Sequence, residues 1–196
     1  MKVDIQDLSF NQKVILRVLE ALPPKSKGDR MFFEKFLFVL SKINSTLFQD
    51  ICDTFEPHHA GPYNEYVDEV IQGLSDRDLI QHQELTRSGV ELVEKLRDDP
   101  EFVPALAEIS ELEELLRGFN LDDVLYLAYK LYPDYAVVSK IQQHVRSDTL
   151  ESYEIPLAAM ADDEELIFES DKGSRIKVVK KGRTVSIEPV PSQGSE

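Results

Sequence analysis

The segment Phe55-Glu56-Pro57-His58-His59-Ala60-Gly61-Pro62-Tyr63 constrains this chain more than any other. Its two prolines and its glycine forbid a continuous helix and fix a turn between helical stretches. Upstream, Phe10, Val14, Val18 and Leu22 recur on one helical face until Pro23-Pro24 ends the helix. A polar turn, Lys25 to Gly28, leads to Asp29, a suitable N-cap for a second helix carrying Phe33, Phe36, Leu37, Leu40 and Ile43. Beyond Asn44 the pattern loosens through Phe48, Ile51 and Phe55. Downstream, Pro62 suits the first turn of a third helix whose stripe is Tyr63, Val67, Val70, Ile71 and Leu74. Leu79-Ile80 and Gln81 to Glu84 read as a short hairpin, after which Thr86 caps a fourth helix with Val90, Val93 and Leu96 inward.

Three helices, a small wing and a fourth helix is the winged-helix order. The same residues carry a resemblance. The aromatic second helix, Phe-Glu-Pro with Gly-Pro-Tyr, an apolar helix ending in Leu-Ile, then Leu-Thr and Gly, resemble the prokaryotic Panacea or SocA-like domains and the related YwgA-like proteins. Glu56, Pro57, Gly61, Pro62 and Tyr63 match that family's turn, and Leu85, Thr86 and Gly89 match its step from wing to helix. Where the family often has an aromatic and Tyr-Gly-Pro, this chain has His58, His59 and Ala60-Gly61-Pro62. Leu131-Tyr132-Pro133-Asp134-Tyr135 followed by Ser139 is similar to the end of YwgA-like proteins, which carries the likeness from the first half of the chain to about residue 145. The resemblance implies an antitoxin or adaptor that grips a partner protein.

Beyond the break at Asp98-Asp99-Pro100, Leu106 to Leu116 reads as an acidic amphipathic helix with Glu111, Glu113 and Glu114 solvated. Asn120 caps a helix from Leu121 to Leu131 that places Val124, Leu125, Ala128 and Leu131 inward. Tyr126, Tyr129, Tyr132 and Tyr135 recur every third residue. Such a stripe packs against the preceding helices in the first reading, and forms a partner-binding surface in the second, since tyrosine joins apolar area to a polar tip. After a connector with Pro156 and the acidic Asp162 to Glu165, turns at Asp171-Lys172-Gly173 and Lys181-Gly182-Arg183 separate alternating runs. That grammar is a three-stranded meander, too small to stand alone, which docks on the helices or pairs with another chain. The expected organisation is therefore a winged-helix domain over 1–99, a helical extension over 100–146, a connector over 147–165, a meander over 166–190 and a disordered tail over 191–196. The fold class is α+β, mainly α.

A formal charge of −15 disfavours general nucleic-acid binding, because an acidic surface repels phosphates unless its cations are segregated. The third helix would enter the major groove in a DNA reader, but its outward face carries Glu65, Asp68, Glu69 and Asp76, with Gln72 and Arg77 as exceptions. Two other places gather cations. One is the meander, with Lys172, Arg175, Lys177, Lys180, Lys181 and Arg183. The other is the first two helices, with Lys13, Arg17, Lys25, Lys27, Arg30 and Lys35. The plainer reading of the meander cations is that they protect strand edges or meet nearby acids.

Catalysis has less support. His58 and His59 are adjacent; Cys52, Asp53 or Glu56 would have to complete a metal site, and no recognised ligand spacing is present. A Cys52–His58 nucleophilic pair needs a depressed thiol pKa that the surrounding acids oppose, and Cys52 reads as a small core residue. The glycines are dispersed, so no phosphate-cradling loop occurs. Asp122 and Asp123 suit the first turn of a helix. The single cysteine, the lack of a charged-then-apolar leader and the lack of a membrane-length apolar run predict a cytoplasmic protein with no membrane contact.

The sequence thus predicts a non-enzymatic regulator or interaction module without metal or cofactor. Its expected partner is a protein with a basic surface, such as a toxin or a nucleic-acid enzyme, contacted through Glu56, Pro57, His59, Tyr63, Glu65, Asp68, Glu69, Tyr126, Tyr129 and Tyr132. The alternative is a winged-helix transcription regulator, acting as a homodimer, that meets DNA through the meander cations or the first two helices. A hydrolase using the His58/His59 turn is the distant third.

Overall fold

The structure is a computed structural model that describes residues 3–135, 161–170, 174–181 and 184–190. It is an α+β fold, mainly helical, built around one buried helix. α1 (Phe10–Ala21) starts at a capping box in which Ser9 and Gln12 bond each other's backbone N–H. α2 (Arg30–Ile43) starts at Asp29, whose carboxylate accepts the Phe32 N–H at 3.1 Å. Phe32, Phe33, Phe36 and Phe38 are essentially inaccessible. A helix that is apolar around its circumference must be enclosed. The neighbours that enclose α2 come from both ends of the chain.

The first enclosing segment differs from the sequence expectation. The loosened stretch after Asn44 forms a short helix, α3 (Gln49–Cys52), and then an antiparallel hairpin of β1 (Glu56–His58) and β2 (Gly61–Tyr63), with His58 opposite Gly61. Pro62 therefore lies in a strand, not in the first turn of a helix. α4 (Glu65–Ser75) is started instead by Asn64, which accepts the Val67 N–H while donating to the Ile51 carbonyl and Thr54 hydroxyl. One buried side chain thus caps α4 and ties it to α3. The helical periodicity of Val67, Val70 and Leu74 was legible, but a two-strand hairpin of three residues a side leaves too short a pattern to detect.

The second hairpin matches its expectation. β3 (Ile80–Gln81) pairs with β4 (Glu84–Leu85), and the intervening His82 and Gln83 both adopt left-handed φ, 51° and 62°, as a type I′ turn requires. Thr86 then caps α5 (Arg87–Leu96) through the Gly89 N–H. Leu92, Val93 and Leu96 face inward, whereas Val90, expected inward, is 41 % exposed, because the buried stripe runs through Gly89 against the Leu79 carbonyl.

α6 (Val103–Leu116) lies along α1, and Arg17 of α1 donates to Glu113 at 2.8 Å and to Ser110 at 3.1 Å. Glu113, expected to be solvated, is therefore half-buried in an ion pair. α7 (Leu121–Leu131) begins at a capping box between Asn120 and Asp123 and packs against α2. The meander is present: β5 (Glu165–Glu169), β6 (Arg175–Lys181) and β7 (Thr184–Pro189) run antiparallel in that order. Phe168, Ile176, Val178, Val185 and Ile187 form its inner face and join the same buried cluster as α1 to α7. It docks through β7 on α2 and α6, and Phe168 meets Tyr126 edge-to-face at 5.9 Å. Most of the expected connector and all of the expected tail lie outside the described residues. Among the described residues no helix is long and apolar enough to cross a membrane.

Candidate functional site

The β1–β2 hairpin has two chemically different sides. On the side facing α2, charges alternate in an unbroken chain. Lys35, with no exposed surface, donates to the Pro62 carbonyl at 2.6 Å and to Glu34 at 3.3 Å. Glu34 accepts from Arg30 at 3.0 Å; Arg30 also pairs with Asp68 of α4, and Asp68 accepts the Tyr63 hydroxyl at 2.7 Å. Burial pushes the Lys35 pKa down against the pull of Glu34. Burial also opposes charge on Arg30, but its bonds to Asp68 and Glu34 outweigh this and hold it above its ordinary value. The bond to Asp68, with burial second, pushes the Tyr63 phenol up. Gly61 closes this side. It has φ of +89°, and a Cβ there would lie 2.7 Å from the Tyr129 hydroxyl and 3.1 Å from Lys35 Cε.

On the opposite side the hairpin, α3 and α4 enclose a groove of about 400 Å³ lined by Asp53, Thr54, Glu56, Tyr63, Glu65, Tyr66 and Glu69. Asp53 and Thr54 arrive from the end of α3, Glu56 and Tyr63 are register partners across the hairpin, and Glu65, Tyr66 and Glu69 come from the first turns of α4. Tyr66 is held by Asn11, which donates to its hydroxyl at 2.8 Å. Asp53, Glu56, Glu65 and Glu69 are exposed, and no described cation forms an ion pair with any of them. The groove can accept hydrogen bonds and positive charge, with two aromatic rings in its wall.

Of the residues expected to bind a partner, Glu56, Tyr63, Glu65 and Glu69 converge on this groove. Pro57 and His59 are exposed on the hairpin beside it, while Asp68 is turned to the charge chain. The tyrosine stripe does not present a surface. Tyr126 is 8 % and Tyr129 2 % exposed, and Tyr132 is half-buried edge-on to Phe38 at 5.3 Å. These tyrosines pack inward because α7 lies along α2, and Tyr126 also meets Phe168 of the meander. Asp53, Thr54 and Tyr66 were not singled out as partner contacts; Tyr66 follows Tyr63 by three residues, a spacing the sequence did carry.

Most of the described cations of the alternative reading are paired internally. On the meander, Lys177 lies 3.0 Å from both Glu165 and Glu188, Lys181 3.0 Å from Asp163, and Arg175 3.5 Å from Glu169. Lys180 is half-buried, and Lys172 and Arg183 lie outside the described residues. In the helices, Lys13 is buried on Asp99 at 2.6 Å, Arg17 on Glu113, and Lys35 and Arg30 belong to the charge chain, which leaves Lys25 and Lys27 exposed. His58 and His59 lie with ring centroids 3.7 Å apart and tilted by 49°, and His58 lies 5.1 Å from the Tyr63 ring. Among the described residues no three His, Cys, Asp or Glu side chains are placed so that they could hold one metal ion together.

No family model matches the chain, and neither a curated protein nor a solved structure matches it significantly, so the residues of the groove carry the functional argument alone.

Proposed function

We propose that this protein is a non-enzymatic interaction module of the antitoxin or adaptor kind, acting in the cytoplasm, and that its acidic groove receives a basic segment of a partner protein. The observation that carries this reading is the set of four carboxylates, Asp53, Glu56, Glu65 and Glu69, gathered around Tyr63 and Tyr66 without an ion pair to any cation among the described residues. A lysine or arginine entering the groove would find charge-assisted acceptors on its rim and ring faces in its wall. The overall charge of −15 would add long-range attraction and raise the association rate. A toxin or nucleic-acid enzyme presents such a basic surface where it meets its own substrate, and occupation of that surface would hold it inactive. The order α1, α2, α4, β3–β4, α5 agrees with a winged-helix arrangement, and the acidic outer face of α4 suits a protein partner better than a phosphate-lined groove.

The test is affinity capture from native lysate at moderate salt, with and without nuclease, using three proteins. These are the wild type, Glu65→Lys/Glu69→Lys in the groove, and a charge-matched Glu94→Lys/Glu101→Lys control on exposed positions elsewhere. The reading expects one stoichiometric, nuclease-resistant protein on the wild type and on the control, and its loss from the groove variant. Recovery of nucleic acid alone, or equal capture by all three proteins, would overturn it.

A further inference from the structure

Behind the groove, immediately before Asp53, lies a second cluster that the interaction reading does not use. Lys42 extends from the last turn of α2 toward the end of α3, and its Nζ lies 3.3 Å from Cys52 Sγ and 3.5 Å from the Cys52 carbonyl. Three rings box the ammonium in: Phe38, Tyr132 and Tyr135, with centroids 5.2, 5.6 and 5.7 Å from Nζ. The Tyr135 hydroxyl donates to the Phe55 carbonyl at 3.2 Å, which ties the box to the strand entering the hairpin. The Tyr132 hydroxyl is buried and has no hydrogen-bond partner. Burial, with Cys52 and Tyr135 as further causes, pushes its pKa well up. The rings leave Lys42 little freedom, so the amine and the sulfur are held in contact instead of meeting by chance. Among the described residues no carboxylate pairs with Lys42, although the chain carries a large acidic excess. Cys52 is 8 % exposed, so an oxidant that reaches its sulfur has to be small, as a peroxide is.

We propose that Lys42 and Cys52 form a reversible oxidative cross-link in which one oxygen atom bridges the lysine nitrogen and the cysteine sulfur, with a hydroperoxide as oxidant. In the first stage the thiolate attacks one peroxide oxygen, the O–O bond breaks, and a sulfenic acid and water result; sulfur is oxidised and the peroxide reduced. In the second stage the Lys42 ammonium gives one proton to solvent, and its nitrogen attacks a second peroxide, forming the N–O bond as the O–O bond breaks and water leaves, to give a hydroxylamine. Its oxygen then displaces water from the sulfenic sulfur, closing N–O–S. In sum, the thiol, the amine and two molecules of hydrogen peroxide give the bridge and three of water. The bridged protein has gained one oxygen and lost two hydrogens. Two thiol equivalents reduce the bridge to the free thiol and a hydroxylamine, and two more return the amine, with water and disulfide as products. The separation of 3.3 Å suits an inserted oxygen better than a direct S–N bond, which would require the two ends to close much further. The unpartnered Tyr132 hydroxyl gives the box a spare donor beside the new polar bridge.

The experiment treats the full chain with hydrogen peroxide and follows intact mass, then maps the product by peptide mass spectrometry after tryptic digestion. The expected product gains one oxygen and loses two hydrogens, resists trypsin at Lys42 so that residues 42 and 52 stay on one internally bridged peptide over 36–77, and reverts with dithiothreitol. Cys52→Ser and Lys42→Arg both abolish it, and Lys42→Arg keeps the charge over the rings, so a folded variant remains for comparison. Gain of oxygen without loss of hydrogen, as in a sulfenic or sulfinic acid, would overturn the proposal. So would loss of two hydrogens without oxygen, which marks a direct S–N bond, or a wild-type product that persists in Lys42→Arg. Because the readout is covalent mass, it is independent of whether the groove binds a partner.

Discussion

The two sides of the β1–β2 hairpin use similar residues in opposite ways. Toward α2, Lys35, Glu34, Arg30, Asp68 and Tyr63 satisfy one another, and each charge has a named partner. Toward α3, Asp53, Glu56, Glu65 and Glu69 stand around two tyrosines with no such partner among the described residues. Asp68 and Glu69 are neighbours in sequence and end on different sides of this division. The difference teaches that position relative to a buried cation, not residue type, separates an acid that holds the fold from one that is available to a ligand. Substitutions on the first side should therefore be read in stability and those on the second in binding.

The largest expected effect is at the closure between the hairpin and α2. Gly61→Ala places a Cβ against Tyr129 and Lys35 while keeping a backbone conformation that alanine disfavours. The expected loss is about 3 kcal/mol in denaturant unfolding, and a loss below about 1 kcal/mol would mean that the hairpin does not sit tightly on α2. Next is Lys35→Met, which removes the donor to Pro62 and leaves Glu34 with Arg30. The expected cost at neutral pH is on the order of 2 kcal/mol, since an orphaned carbonyl and a weakened carboxylate replace a satisfied pair.

That variant also has a pH signature. The folded pKa of Lys35 is lowered, so between that value and its unfolded value near 10.4 the unfolded chain binds more protons. The stability advantage of the wild type over Lys35→Met should therefore grow as the solution is made alkaline through this window. A gap that narrows would show that Lys35 is not desolvated. The smallest effect is expected at the boundary between the two sides. Tyr63→Phe removes one hydrogen bond to Asp68 and keeps the ring in the groove wall, so it should cost less than about 1 kcal/mol and leave binding unchanged within about twofold.

Helices with full apolar stripes were legible from spacing, as were three of their caps, Asp29, Thr86 and Asn120, because a short polar side chain before an apolar run has few other uses. The meander was legible because its turns are marked by Gly173 and Gly182 and its strands alternate. The β1–β2 hairpin was not, since Pro57 and Pro62 mask strand character and the pairing is too short for a period. The groove was half legible. Glu56, Tyr63, Glu65 and Glu69 share the motif and the outward face of α4, but Asp53 and Thr54 join them through the Asn64 bridge, a tertiary contact with no linear trace. The neutralisation of the helix cations was equally invisible, because Lys13 finds Asp99 and Arg17 finds Glu113 far along the chain, whereas Lys177 and Lys181 meet the nearby acids that the plainer reading of the meander named.

The most direct test of the groove is a titration of a labelled arginine-rich peptide into the wild type, Glu65→Lys/Glu69→Lys and Glu94→Lys/Glu101→Lys at low and moderate salt. All three proteins should unfold within about 0.5 kcal/mol of one another, since the substituted carboxylates support no ion pair. The account predicts at least ~10-fold weaker binding for the groove variant alone, about 1.4 kcal/mol, with little change in the charge-matched control. Equal weakening in both variants would show that the peptide reads only net charge, and would contradict a groove built to receive a basic segment.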